Sequence, residues 1–314
     1  MPGAAKVIKK IISIPIKIVQ SVVKLATNVV SGFMGAFGMS FDTPDMGGGA
    51  DYEDTSSGIT VNKQSNVAGI PIIYGQRKIG GTRVWCGTKG DDNAELFVCL
   101  AVAEGEIEGF TKIYIDDEEQ SISSFPVNPT DGTTVKVQSG SKYYVNGNAK
   151  AEFQFFTGGE NQKASELLKN HDEWNDKMRL RGVAYVACKF TWVKPEYDDK
   201  GNQTLFNPWR GIPTINVVVK GKKVLTGDYS GHGTTNTNTY GSEIGSFAYS
   251  TNPADCLLDY LRNPRFGKAL NDNRIDWATF KAARDVCNQT VTYPNPTGNA
   301  AFLTCNTYVK PENN

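Results

Sequence analysis

The residues whose type and spacing come nearest to chemistry are three alternating carboxylates, Glu104, Glu106 and Glu108. In an extended segment they share one face, and a pair of carboxylates on one face is what glycoside hydrolysis needs for acid and nucleophile or base. Gly105 and Gly109 break the run, however, so a solvated turn is the stronger reading. The chain has only two histidines, His171 beside Asp172 and Glu173, and His232 between Gly231 and Gly233. Neither stands in a nucleophile-elbow or paired spacing, so no Ser-His-Asp or Cys-His site is expected. Asp116 to Glu119 clusters oxygen ligands without the alternate-position spacing of a calcium loop, which makes it a hairpin tip. Gly80-Gly81 follows a strand pattern but opens no helix, so it is not a phosphate-binding loop. Six cysteines, Cys86, Cys99, Cys188, Cys256, Cys287 and Cys305, lack any Cys-x-x-Cys pair. Several sit in apolar runs and are expected as reduced, structural thiols. No catalytic, cofactor-binding or metal-binding residue is expected, and the chain is not expected to be an enzyme.

The elements that hold these residues follow from composition. The 314 residues carry 33 basic and 33 acidic side chains, which excludes a nucleic-acid surface built on net charge. Thirty-two glycines, 14 prolines and 39% apolar residues point to short strands joined by turns. A chain of this length can bury roughly 75% of its extended surface. The first residues do not form a signal peptide, because Pro15, Lys17 and Lys24 interrupt any apolar core segment. The longest uncharged run, Leu25 to Phe41, is too short and too polar for a membrane span.

Residues 1 to 37 form a basic, amphipathic arm. Ile11, Ile14, Ile18, Val22, Leu25, Val29, Phe33 and Ala36 recur at steps of 3, 4, 4, 3, 4, 4 and 3, an eleven-residue repeat that suits helices in a bundle. Five lysines precede the first acid, Asp42, and Pro15 kinks the helix or delays its start. A helix packed on its own body and an interfacial membrane helix are the other readings of the same stripe. Residues 38 to 58, with Gly47 to Gly49, form a flexible linker.

The body runs from 59 to 314. Pro71 places Val67 to Arg83 at a sheet edge or barrel corner. Glu95 to Glu108 is a buried strand that runs into a tight acidic turn. Phe110 to Ile122 is a hairpin with Asp116 to Glu119 at its tip, and Asp131-Gly132 and Asn146-Gly147 mark two more turns. A short amphipathic helix is expected at Ala164 to Leu168, and long buried strands at Leu180 to Trp192 and Gly211 to Val224. A Gly-, Thr- and Asn-rich loop, 226 to 246, follows. Asn252 can cap a helix and Pro253 suits its first turn, so Ala254 to Arg262 is helical and Pro264 ends it. Asp276 starts a second helix in which Trp277, Phe280, Ala283 and Val286 share a face, completing a helical hairpin.

Several of these strings carry a resemblance. The run from Asn252 to Cys287, with Asn-Pro-Ala, Asp-Tyr-Leu, Pro-Arg-Phe-Gly and Ile-Asp-Trp in order, resembles the tail-tip attachment protein J family of long-tailed bacteriophages. Thr304-Cys305-Asn306 is similar to the family's strand just beyond that helix pair. Val67 to Gly75 and Ala101 to Gly109 resemble two further family segments, the second departing at Glu106, where many members place proline. The resemblance implies a structural virion protein of the tail tip, assembled in the host cytoplasm. It implies a homotrimeric β-rich hub that contacts the distal tail protein, the tape-measure protein and a receptor-binding tail fibre. Fold class is then α+β, mainly β, with the helical hairpin near the C-terminus. A split domain, 59 to 105 with 206 to 314 around a nested insertion at 106 to 205, is one arrangement of the body. The arm positions Ile11, Ile14, Ile18, Val22, Leu25, Val29 and Phe33 are the expected partner-binding residues. In the family the strand at Leu303 to Val309 leads into further hub domains, so it is expected to be completed by a longer chain or another protein. Two rival functions are a tail-associated peptidoglycan hydrolase and a membrane-active protein that uses the basic arm in a transient host-membrane contact.

Overall fold

The structure is a computed structural model and describes residues 63–64, 69–128, 132–227, 229, 246–294, 297–301 and 303–309. The arm with its seven expected partner-binding positions, the linker, Asp131 and His232 lie outside the described residues. The chain divides into two compact units, Ser56–Lys223 with Asn306–Asn314, and Met1–Thr55 with Val224–Cys305.

The larger unit is built on a six-stranded sheet. Its strands run in the order Lys63–Gln64, Thr82–Lys89, Glu95–Glu104, Val183–Thr191, Ala151–Phe156 and Val135–Lys136. The first pair is parallel and the others antiparallel. Glu95–Glu104 has almost no polar alternation because both of its faces are covered. Val98, Leu100 and Val102 join Phe153, Phe155, Val186 and Phe190 in the main core. On the other face Phe97 and Cys99 pack with Phe156, Tyr185, Leu167, Leu168 and Trp174.

A second sheet supplies the far wall of the main core. Ile215–Thr226 lies between Gln76–Ile79 and Ile107–Ile115, and Ile107–Ile115 turns back onto Glu118–Glu119. From these strands Ile107, Ile113, Ile115, Ile215, Val217 and Val219 point into the same cluster. Each such fully buried side chain contributes about 2 kcal/mol relative to exposure. The tight turns have the expected chemistry: Asp116 and Asp117 have φ of 49° and 65°, and Asn146 and Gly147 of 49° and 74°. Both residues of a type I′ turn need positive φ, which Asp, Asn and Gly tolerate.

The Pro71 segment ends at an edge, as expected: Ile72–Tyr74 pairs antiparallel with Thr307–Val309, Ile73 opposite Tyr308. That pairing also changes the picture of Leu303 to Val309. Its last three residues are a strand joined along one edge to the chain's own fold, with Thr307 and Val309 buried. Ala164 to Leu168 is not an α-helix. The segment passes through a turn into a 3-10 turn at Leu168–Asn170, because the Ser165 hydroxyl donates to Gln154 Oε1 at 2.7 Å and accepts the Leu168 N–H at 3.2 Å. A stretch this short gains too few helical hydrogen bonds to outweigh nucleation.

The smaller unit holds the helical hairpin. Its helices, Pro253–Arg262 and Trp277–Cys287, start where Asn252 and Asp276 predict: Asn252 Oδ1 accepts the Ala254 N–H at 2.9 Å, and Asp276 Oδ1 accepts that of Thr279 at 3.1 Å. Leu225, Tyr229, Leu258, Ile275 and Trp277 form its apolar core. Among the described residues no helix is long and apolar enough to cross a membrane.

Candidate functional site

The three carboxylates sit where the chain leaves one sheet for the other. Glu104 ends one strand, Gly105 turns at φ 82°, and Ile107 starts the next. Glu106 and Glu108 are exposed and straddle one cation, with Lys223 Nζ 3.2 Å from Glu106 and 3.9 Å from Glu108. Both carboxylates share this one ammonium at an exposed turn, which makes the group a solvated ion cluster. What the corner does instead is position backbone. Gly105 donates to Gly182 O at 2.7 Å, Gly182 to Gly158 O at 3.0 Å, and Ile107 to Thr157 O at 3.0 Å. A Cβ on Gly158 would lie 2.7 Å from Gly105 O, so the approach admits only glycine there.

Buried Gln162 locks this corner. Its Oε1 accepts the Gly158 N–H at 2.7 Å, and its Nε2 donates to Arg179 O at 2.9 Å and Leu180 O at 2.8 Å. One amide thereby joins backbone groups from two loops.

The acidic tip is likewise occupied by protein partners. Asp116 accepts from Thr214 N–H at 2.9 Å and Tyr143 O–H at 3.1 Å; Glu118 pairs with Lys142 at 2.8 Å and Glu119 with Lys112 at 3.0 Å. The hydrogen bond from Lys112 holds the Glu119 carboxyl below its ordinary range. Among the described residues no group of His, Cys, Asp and Glu is arranged to hold a metal ion. His171 is a packing residue: its ring meets Trp85 edge-on at 5.0 Å, Nδ1 accepts the Glu173 N–H at 3.2 Å, and Nε2 lies 3.2 Å from Thr88 O. All six cysteines are free thiols, five of them buried, and burial pushes Cys287 up to about 11.

In the smaller unit, the strings that carry the resemblance are held by two groups of buried polar contacts. Asn252 caps the first helix, and its Nδ2 donates to Arg284 O at 3.0 Å and Asn288 Oδ1 at 2.8 Å, at the end of the second helix. Asp255 accepts from Ser250 Oγ at 2.6 Å, Arg284 Nε at 3.0 Å and the Tyr229 hydroxyl. Arg262 and Asp272, both buried, pair at 2.8 Å, and the guanidinium lies 5.3 Å from the Trp277 ring centre. Gly267 is required by a close approach: a Cβ there would lie 1.8 Å from Tyr260 O, which accepts the Lys268 N–H at 3.1 Å as the chain folds back over the helix end.

The comparisons with known proteins bear on these strings. No protein-family model matches the chain. A curated relative does: it is similar to the baseplate hub protein pb3 of Escherichia phage T5, 26% identical over 255 residues, which cover 69% of this chain and 24% of that protein. The likeness is to a phage baseplate component. It supports a phage tail or baseplate protein, a coarser statement than the tail-tip attachment protein J family that the motifs resemble. The chain spans about a quarter of the relative's length. Among solved structures, the virion of a native gene transfer agent particle aligns at a TM-score of 0.34 and 15% identity over 59% of this chain and 34% of that one, too slight a likeness to carry an argument.

Sequence reasoning missed two features. Gln162 was visible only as a polar residue before a loop, and nothing in its neighbours announced the loop carbonyls of Arg179 and Leu180 beside it. The other is a surface of the larger unit where Trp192, Tyr197, Phe206 and Ile212 are 50%, 63%, 65% and 54% exposed. Its only signal was four large apolar residues around the polar turn Asp198 to Asn202.

Proposed function

We propose that this chain is a structural, non-enzymatic protein of a phage tail tip, forming part of the hub that closes the tail tube. The observation that carries this is the similarity to a baseplate hub protein over 69% of the chain. The hub is a homotrimer, built from the mainly β body, and it joins the distal tail protein, the tape-measure protein and a receptor-binding tail fibre. It is assembled in the host cytoplasm and resides at the tip of the virion tail. The exposed Glu106–Lys223–Glu108 cluster, which lies at a solvated turn and shares one ammonium, supports a structural role over a peptidoglycan hydrolase that would act through these carboxylates.

In this reading residues 1 to 37 are the partner-binding arm. An isolated helix rich in β-branched residues is marginal in water, so the stripe from Ile11 through Ile14, Ile18, Val22, Leu25 and Val29 to Phe33 needs cover. Three such stripes, tethered through residues 38 to 58, converge on the tail axis and bundle around the end of the tape-measure protein. Replacing Ile18 and Val22 with Asp is expected to stop tail completion while the body stays folded by circular dichroism. Normal tails from that variant refute the arm's role, and vesicle binding lost with the arm favours a transient host-membrane contact instead. Electron microscopy with an antibody to the body tests the location, which is the distal end of the tail; label elsewhere, or none on intact particles, refutes the reading.

A further inference from the structure

The larger unit carries one surface that its own fold leaves unused. Glu196–Tyr197 and Gln203–Leu205 pair as a short antiparallel hairpin. Its turn is stiff: Asp198 Oδ1 accepts from Lys200 N–H at 2.9 Å and Asn202 N–H at 2.8 Å, and Oδ2 from Asn202 Nδ2 at 2.9 Å. Hydrogen bonding from Asn202 holds the Asp198 carboxyl below its usual range, so this acid belongs to the turn. The root is equally fixed. Buried Trp209 stacks on Tyr143 at 4.5 Å and donates to Thr191 O at 2.8 Å, while Asn207 bridges Val193 N–H at 3.1 Å and Trp209 O at 2.8 Å.

Beside that root lies a hollow of about 660 Å3, lined by Phe206, Pro208, Ile212, Arg210, Lys142 and Asp116 among others. Asp116 is engaged by Thr214 and Tyr143, and Lys142 by Glu118. Arg210 is exposed and, among the described residues, has no ion-pair or hydrogen-bond partner. On the hairpin the acids prevail: Glu196, opposite Leu205, and Asp199, in the turn beside exposed Lys200, are exposed carboxylates without a partner among the described residues, and they flank the exposed Tyr197. Acid with aromatic at the tip complements cation with apolar wall at the hollow, and a preorganised hairpin loses little freedom when it docks.

We propose that the hairpin tip of one copy docks into the root hollow of a second copy of this chain. Tyr197 seats against Phe206 and Ile212, and Glu196 or Asp199 reaches Arg210. Where the second copy passes its own tip on to a third and does not return it to the first, the contact is heterologous and closes when the rotation between copies returns to the start, which a ring of three satisfies. The inference rests on the hub reading for the ring, but the contact is measurable without a virion.

Sedimentation of the full chain over a concentration series tests it. The wild type is expected to associate, and Arg210→Glu, or Glu196→Arg with Asp199→Arg, is expected to weaken association by about tenfold or more through like-charge contact. All three residues are exposed, so circular dichroism and the melting midpoint stay unchanged. Combining the three substitutions in one chain reverses both patches and is expected to restore association. A monomeric wild type, association unaffected by either reversal, or a triple variant that stays dissociated overturns the proposal. The first two of these leave the surface to a different virion protein or to solvent. If the chain associates as described but is absent from tails, the hub reading fails and this contact stands.

Discussion

Asp255 and Arg284, on neighbouring helices of one hairpin, pair at 3.0 Å with the carboxylate only 1% exposed. The pair ties the third residue of the helix Pro253–Arg262 to the last turn of the second helix, and burial with the neighbouring Asp255 charge pushes the Tyr229 hydroxyl pKa up. A buried charge that loses its partner is costly, whereas a matched apolar pair is often neutral. Asp255→Asn is expected to lower stability by about 3 kcal/mol, and Asp255→Leu with Arg284→Met to recover most of it. Urea unfolding followed by circular dichroism reads both. Equal losses in the single and the double variant would mean that the pair does not hold the hairpin together.

Gln162 is expected to matter more than any of the carboxylates near it. Gln162→Leu keeps the volume but strips the Gly158 N–H and the Arg179 carbonyl of their partner and leaves Leu180 O only its bond from Val183 N–H, at a cost of about 3 kcal/mol. Glu106→Gln and Glu108→Gln, at an exposed ion cluster, are expected to change stability by less than about 0.5 kcal/mol each. Denaturant midpoints of the three variants rank them; a Gln162 variant as stable as the wild type contradicts the role of the corner.

The start of the second helix is expected to be pH-sensitive. Hydrogen bonding from the Thr279 side chain, then from its backbone N–H, holds Asp276 below the ordinary aspartate range. A carboxyl whose folded pKa is depressed adds stability that is fully present above its unfolded pKa, about 3.9, and is lost as pH falls through the lower folded value. Melting midpoints of wild type and Asp276→Ala should therefore differ near neutral pH and draw together as pH falls through the range below about 3.9, the unfolded aspartate value. A gap that stays constant through that range would assign the effect to helix propensity and not to the charged cap.

What the sequence disclosed was local. Asn252-Pro253, Asp276, Pro264 and the turns at Asp116 and Asn146 each act within a few residues, so their types alone placed the helices and hairpins. The run around Phe97 declared a strand covered on both faces because its alternation is missing. Ala164 to Leu168 misled for a related reason: its spacing suits a helix, but Gln154 on a distant strand takes the Ser165 hydroxyl and the Leu167 N–H. The strings at Ala101 to Gly109 and Asn252 to Gly267 stood out as motifs, yet why they are stringent was hidden. Gly158 against Gly105, and Gly267 against Tyr260 O, are close approaches between segments, and no periodicity encodes them. The aromatic hairpin at Tyr197 was illegible as a surface, since exposure of an apolar residue depends on what the rest of the fold fails to cover.

The central claim, that this chain builds the hub of a phage tail tip, is tested most directly by an image reconstruction of the intact particle without imposed symmetry at the tail end. The account predicts that the mainly β larger unit and the helical hairpin fit density at the distal end of the tail tube, in three copies around its axis. Density for this fold in six copies, in a single copy, or nowhere in the tail would contradict it.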